Sequence, residues 1–181
     1  KGIVGVDRFV QKSYSLYTSN LGLSNNLSTK EKYDISDLSE TEQNIYRKVN
    51  QSIVKIDVEL EHFRFNTAVA ALMELINTLK DLEKCSEEIK LYSLQRFALM
   101  LAPLAPHLAE ECWSILGNEG SLFQNPVWYD ADELALVQDN VTIIVQVNGK
   151  VRAKLELPMD SEEQAVKSAA WSEEKVKYHT E

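Results

Sequence analysis

The stretch VTIIVQVNGKVRAKLELP, residues 141–158, has the pattern of two β-strands joined by a tight turn. Apolar residues recur at every second position before and after Asn148-Gly149, and Pro158 ends the second run. The second run carries Lys150, Arg152 and Lys154, whereas the whole chain has a net charge of −9. A local basic patch in an acidic chain is the place where a polyanion would bind.

The loop of this hairpin can be predicted from the two faces that it creates. Asn-Gly usually forms a two-residue loop, which would place Val147 opposite Lys150 and mix apolar and basic residues on each face. A three-residue loop of residues 147–149, with a left-handed Gly149 in a bulge, separates them. The sequence therefore predicts that Lys150, Arg152 and Lys154 share one solvent-facing side, with Asn148 beside them. On composition alone, a basic face that only keeps the hairpin soluble is the alternative.

Upstream of the hairpin, helical spacing of apolar residues predicts a bundle. The predicted helices cover residues 2–20, 39–62, 66–79, 86–102 and 107–116. Ser39 and Glu42 have the spacing of a capping box, Asn66 is the predicted N-cap of the third helix, and Pro103 and Pro106 separate the last two helices. The predicted core stripes include Val6, Val10, Tyr14 and Tyr17 in the first helix, and Phe65, Val69, Leu72 and Ile76 in the third.

These elements predict a mainly α protein in three parts. Residues 1–117 form an antiparallel helical bundle, and residues 118–140 form an irregular connector packed on the bundle. Residues 141–181 form a small α+β module, in which Ser161 caps a short helix after the hairpin. The chain begins at Lys1 rather than at a methionine, so we expect it to be a piece of a longer protein.

The residue inventory predicts neither a catalytic site nor a metal site. The two cysteines, Cys85 and Cys112, are too few for a disulfide framework and are expected to be reduced. His107 precedes Glu110 and Glu111 but lacks the second histidine that a zinc motif needs. The sequence has no P-loop or nucleophile elbow, and no apolar run approaches the roughly 20 residues that span a bilayer. We expect a cytoplasmic monomer.

Three upstream segments resemble a known bundle. The segment FNTAVAALMELIN, residues 65–77, resembles a helix of the anticodon-binding bundle in class I aminoacyl-tRNA synthetases. The segment LAPLAPHLAEECW, residues 101–113, is similar to the later helix of that bundle, which proline interrupts. Residues 5–9 resemble its opening helix. These segments leave the leucine, isoleucine and valine enzymes open.

The hairpin motif VQVNGKVRAK, residues 145–154, narrows the resemblance to one family. It looks like the start of the small C-terminal domain of bacterial-type leucyl-tRNA synthetases. An isoleucine enzyme would carry a cysteine-rich zinc module here, and a valine enzyme a coiled coil; the sequence has neither. The family's nucleotide-binding fold, its HIGH and KMSKS motifs and its editing domain are missing from this sequence, as is the last strand region of the C-terminal domain.

The resemblance implies a function that the residue inventory alone does not. A member of this family is a leucine–tRNA ligase that uses ATP and Mg²⁺, and this fragment would bind tRNA(Leu) alongside the remaining domains without carrying catalytic residues or a cofactor. The RNA-binding residues expected on this basis are Asn148, Lys150, Arg152 and Lys154 in the hairpin, and Arg8, Lys12 and Arg64 in the bundle. The alternatives are a valine or isoleucine synthetase, or a helical protein-interaction module that does not bind RNA.

Overall fold

A computed structural model describes residues 2–23, 30–124, 127–137, 140–158 and 161–177. The chain divides into two compact units, Lys1–Leu136 and Val137–Glu181. The first unit is helical, and the second combines a β-hairpin with two short helices. The predicted fold class, a helical bundle followed by a small α+β module, is confirmed.

The helices of the first unit pack around one hydrophobic core. They are α1 (Gly2–Thr18), α2 (Glu40–Glu61), α3 (Phe65–Thr78), α4 (Glu87–Leu101), α5 (Pro106–Ile115) and α6 (Glu133–Leu136). Segments of 3₁₀ helix occupy Ile35–Asp37 and Leu79–Lys84. Pro106 stands at the first position of α5, where its missing N–H costs no helical hydrogen bond.

The buried face of α1 differs from the predicted stripe. Phe9, Ser13 and Tyr17 are buried at four-residue spacing, whereas Val6 and Tyr14 are 52% and 42% exposed. The Ser13 hydroxyl donates a 2.9 Å hydrogen bond to the Phe9 carbonyl, so this polar side chain is satisfied inside the core. The prediction followed apolar residues only and therefore missed a face that contains a serine.

The Glu42 carboxylate accepts hydrogen bonds from the N-cap residues of two helices. The Ser39 N–H and hydroxyl donate to one carboxylate oxygen at 3.0 and 2.7 Å, and the Glu42 N–H donates to the Ser39 hydroxyl at 3.4 Å. This is the predicted capping box, and it begins α2. The other carboxylate oxygen accepts the Ser86 N–H at 2.8 Å, and Ser86 is the N-cap of α4.

The beginning of α3 corrects two predictions. The helix starts at Phe65 with Arg64 as its N-cap, and no side chain caps it, so Asn66 is not the cap. Phe65 is 48% exposed and does not belong to the core stripe. The buried side chains of α3 are instead Ala68, Ala71, Leu72, Leu75 and Ile76. The turn before the helix contains Phe63 in a left-handed conformation, with φ of 55°.

The segment after α5 contains a short helix, α6, whereas the sequence predicted an irregular connector. Asp132 caps this helix by accepting the Leu134 N–H at 3.2 Å. The Asp132 N–H donates in turn to the side-chain oxygen of Asn50 on α2 at 2.9 Å. Ala135 of α6 is fully buried in the core of the first unit.

The second unit is built on β1 (Asn140–Val147) and β2 (Lys150–Pro158), which pair antiparallel. Helices α7 (Glu163–Ser172) and α8 (Glu174–Lys177) both contact β2. The buried apolar residues are Ala153, Leu155 and Val176. Glu162 is the N-cap of α7 and makes no side-chain cap bond, so the predicted capping by Ser161 is wrong.

The described residues contain neither a candidate membrane span nor a candidate metal cluster. Their helices include none with the length and apolar character needed to cross a membrane. Their His, Cys, Asp and Glu side chains form no group of three or more that could hold a metal ion.

Candidate nucleic-acid interface

The hairpin turn has two residues rather than the predicted three. Val147 pairs with Lys150, and Asn148 and Gly149 both have positive φ, of 54° and 73°. Two consecutive left-handed residues are the signature of a type I′ turn, for which Asn-Gly is the preferred sequence. The turn therefore follows local propensity, and the faces must be sorted elsewhere in the hairpin.

A β-bulge next to the turn sorts them. Gln146 pairs with Val151, but Val145 pairs with Ala153, so Arg152 is the extra residue on β2. Beyond this bulge the apolar residues other than Ile144 share one face, with Ile143 opposite Leu155. The predicted three-residue loop placed the odd residue in the turn, whereas the structure places it at Arg152.

The bulge also separates the three cations. Lys150 lies opposite Val147, and Lys154 lies opposite Ile144. Because Val147 and Ile144 are three positions apart on β1, the strand alternation places the two lysines on opposite faces. The prediction of one common cationic face is therefore wrong. The face that includes Lys154 also exposes Ile144 and Val151, each 53% exposed.

Arg152 and Lys154 instead line a cleft within the second unit. The cleft has a volume of about 580 Å³ and is bounded by residues 151–154 of β2 and by Ser172, Glu173 and Lys175 where α7 gives way to α8. The described residues of the sheet form two strands, so this edge of β2 has no strand partner among them. Three cations and a single carboxylate border the cleft, which favours an anionic ligand.

The guanidinium of Arg152 also favours an anionic ligand in the cleft. Its Nε is buried and has no hydrogen-bond partner within the described part of the chain. An unsatisfied buried donor is costly, and a ligand oxygen that accepted from it would remove that cost. Arginine presents several donors in a planar fork that suits a phosphate group.

The predicted residues of the bundle differ in their availability. Arg8 and Lys12 are exposed on α1, and the Lys12 Nζ lies 3.3 Å from the side-chain oxygen of Asn77 on α3. Arg64 is engaged by Glu59 through two hydrogen bonds, of 2.6 and 3.1 Å. Its charge is neutralised locally, so the structure does not support a free cation at Arg64.

Sequence reasoning missed Lys175 as a cleft residue. It lies 21 positions after Lys154 in a stretch without a motif, and only the contact of α8 with β2 brings it to Arg152. A periodicity in the sequence could not have found it, because α7 ends between the two segments.

Comparison with known proteins places this architecture in a family. Residues 42–167, which include most of the bundle, the hairpin and the beginning of α7, match the family model described as the anticodon-binding domain of tRNA ligase. The chain belongs to this family. The match extends across both units, so the hairpin and its cations are part of the family region of this anticodon-binding domain.

Several leucine–tRNA ligases are similar to this anticodon-binding domain. The enzyme of Dehalococcoides mccartyi is 40% identical over 98% of the chain, and that of Fervidobacterium nodosum is 39% identical over 93%. The enzyme of Pseudomonas fluorescens is 35% identical over 99% of the chain. The chain spans 21% of the length of each of these relatives.

A solved structure shows the same fold. It is agnB2 LeuRS of Agrobacterium radiobacter K84, crystallised as a ternary complex with tRNA and LeuAMS. The TM-score is 0.78 at 27% identity, over 96% of this chain and 23% of that protein. The resemblance predicted from residues 65–77, 101–113 and 145–154 is confirmed.

Proposed function

We propose that this chain is the tRNA-binding portion of a leucine–tRNA ligase. Its family and its leucine-enzyme relatives support this assignment over a valine or isoleucine enzyme. In this proposal the chain positions tRNA(Leu), and domains outside the chain use ATP and Mg²⁺ to attach leucine. The chain itself supplies no catalytic residue, and it works as part of a monomeric cytoplasmic enzyme.

The observation that carries the proposal is the cationic cleft of the second unit. Arg152, Lys154 and Lys175 line it, and Arg152 has a buried Nε without an acceptor among the described residues. Such groups bind phosphate and sugar, which fixes the position of the RNA without reading its sequence. Lys150 lies on the other face of the hairpin and would contact a different part of the backbone, with Asn148 beside it at the turn.

The net negative charge of the chain affects its affinity for RNA. A net charge of −9 repels RNA at long range, so attraction must come from local patches. Because these patches release counterions when they bind phosphate, affinity should fall with rising salt. The number of cations engaged can therefore be read from the dependence of affinity on salt.

Filter binding of tRNA(Leu) to the intact ligase, between about 50 and 200 mM salt, tests the proposal. The variant K154E/K175E should weaken binding and lower the log–log salt slope by about 0.7–0.9 for each lost contact. K150E should lower it by one contact. Lys167 on α7 is paired with Glu163, so K167E serves as a matched charge reversal outside the cleft. Equal affinity and slope for wild type and K154E/K175E would overturn the role of the cleft.

A further inference from the structure

A second concave surface lies within the first unit, between α1 and the end of α3. This groove has a volume of about 530 Å³. One wall is formed by residues 11–20, in α1 and the turn after it, and the other by residues 76–83, in α3 and the 3₁₀ segment that follows. Lys12 is the one residue of this groove among the RNA-binding residues expected from the sequence.

The groove combines two kinds of surface. Its base is apolar: Leu16 on α1 is partly exposed there, and Ile76, Leu79 and Leu82 are buried beneath it. Its rim is polar and carries Gln11, Ser15, Ser19, Asn20 and Asn77. An apolar base below amide and hydroxyl groups suits a flat heteroaromatic ring whose edge carries donors and acceptors.

The cations of the groove are available. Lys12 and Lys80 are both exposed, and neither forms an ion pair with a carboxylate of the described residues. Arg8 stands one turn before Lys12 on α1 and is exposed as well. Glu83 is the one carboxylate among the residues that line the groove. By contrast, Lys48 and Lys55 in the first unit are both paired with Glu74.

Polar side chains on the rim also have hydrogen-bonding groups that no other described residue uses. Asn77 accepts a hydrogen bond from Lys12 with its side-chain oxygen, while its amide nitrogen donates to no other described residue. Gln11 and Ser15 likewise make no side-chain hydrogen bond within the described part of the chain. An amide can both donate and accept, which is what the edge of a nucleobase requires.

We propose that this groove holds one unstacked nucleotide of the bound RNA. The phosphate of this nucleotide lies against Lys12 and Lys80, and its nucleobase covers the apolar floor of the groove. Gln11 and Asn77 form hydrogen bonds with the edge of the nucleobase. The volume suits a ligand of this size. The inference rests on the proposed function, since it assumes that the intact ligase binds tRNA, and it adds a contact remote in sequence from the hairpin cations.

The test uses the intact ligase and a tRNA(Leu) transcript in filter-binding titrations at several salt concentrations. K12A/K80A should raise the Kd and lower the salt slope by about 0.7–0.9 per lysine, whereas K12R/K80R should retain both. Q11A/N77A should raise the Kd roughly two- to tenfold without changing the slope, because neutral hydrogen bonds release no counterions. K48A/K55A removes the same charge outside the groove and should leave the Kd near that of wild type.

Chemical probing of the bases provides a readout that general electrostatics would not change. In the wild-type complex one unpaired base should be protected from base-specific reagents, and it should react in the K12A/K80A complex. If K12A/K80A and Q11A/N77A leave the Kd, the salt slope and the protection pattern unchanged, the groove proposal is overturned even where K154E/K175E weakens binding. If the wild-type ligase binds no tRNA, the proposed function fails and the groove proposal with it.

Discussion

The Tyr46 hydroxyl donates a 2.7 Å hydrogen bond to the Asp132 carboxylate, although the two residues lie 86 positions apart in the chain. The same hydroxyl accepts the Tyr33 N–H at 3.0 Å. It therefore ties the segments before α2 and around α6 to the middle of the bundle. Burial is the largest cause that raises the pKa of Tyr46, and its bond to the carboxylate adds to the effect, so Tyr46 is a neutral donor at all physiological pH values.

Removing this hydroxyl should cost more stability than removing a comparable one nearby. Tyr46→Phe leaves the Tyr33 N–H without its acceptor and one oxygen of the buried Asp132 carboxylate, Oδ2, without its donor, so we expect the free energy of unfolding to fall by about 1–3 kcal/mol. Urea denaturation followed by circular dichroism measures it. Tyr129→Phe is the control, because its ring stays stacked on Arg96, 4.3 Å from the guanidinium carbon, and its hydroxyl bonds to no described residue. Equal stability of the two variants would contradict the assigned role of Tyr46.

Glu42 should make stability depend on pH. Burial would raise the pKa of Glu42, but hydrogen bonds from Ser39 and Ser86 together outweigh it and lower the pKa from 4.5 to about 2. When folding lowers the pKa of a carboxyl group, the group stabilises the folded protein fully at pH values above its pKa in the unfolded chain. This contribution is lost as the pH falls towards and through its pKa in the folded chain. Glu42→Gln should therefore lower the free energy of unfolding at pH 7 by about 1 kcal/mol.

The pH series distinguishes a charged cap from a merely polar one. The difference in the free energy of unfolding between wild type and Glu42→Gln should shrink as the pH falls from about 4.5 to about 2. Denaturant titrations at each pH measure this difference. A gap that stayed constant over this range would mean that the carboxylate charge contributes nothing to the two caps.

The two thiols should be inert in the folded chain. Burial raises the pKa of Cys85 to about 11 and that of Cys112 to about 12, and both side chains are buried. Because the thiolate is the reactive form, labelling by a disulfide reagent at pH 8 should be at least about 100-fold slower than for an exposed thiol. Ser114→Cys, at an exposed position on α5, provides the fast reference. Rapid reaction of two thiols without denaturant would contradict the burial of this core.

The turn type can be tested at Asn148. In the two-residue turn Asn148 is left-handed, so Asn148→Gly should preserve the hairpin, whereas Asn148→Val should destabilise it by about 1 kcal/mol or more. In a three-residue loop of residues 147–149, with only Gly149 left-handed, a valine at position 148 would be tolerated. Amide hydrogen exchange of β1 and β2 measures the difference, with Gln146→Val on the exposed face as the control for added β-branching.

Much of the fold could be predicted because it depends on residues close together in the chain. The Ser39–Glu42 capping box, Pro106 at the start of α5 and the left-handed Gly149 all follow from local spacing and backbone preference. Errors arose where a local rule gave more than one answer. Separating the two faces of the hairpin requires one odd residue, which the sequence allows either in the turn or in a bulge. The structure keeps the two-residue Asn-Gly turn and places the odd residue at Arg152.

The sequence by itself determined the longer helices and both strands, where several of them begin, and which family the chain resembles. The tertiary structure decided which charges are available. It pairs Arg64 with Glu59, places Lys150 and Lys154 on opposite faces, and brings Lys175 to Arg152. The physical reason is that helix and turn preferences act over a few residues, whereas the availability of a charge depends on through-space neighbours that only the packed chain brings together.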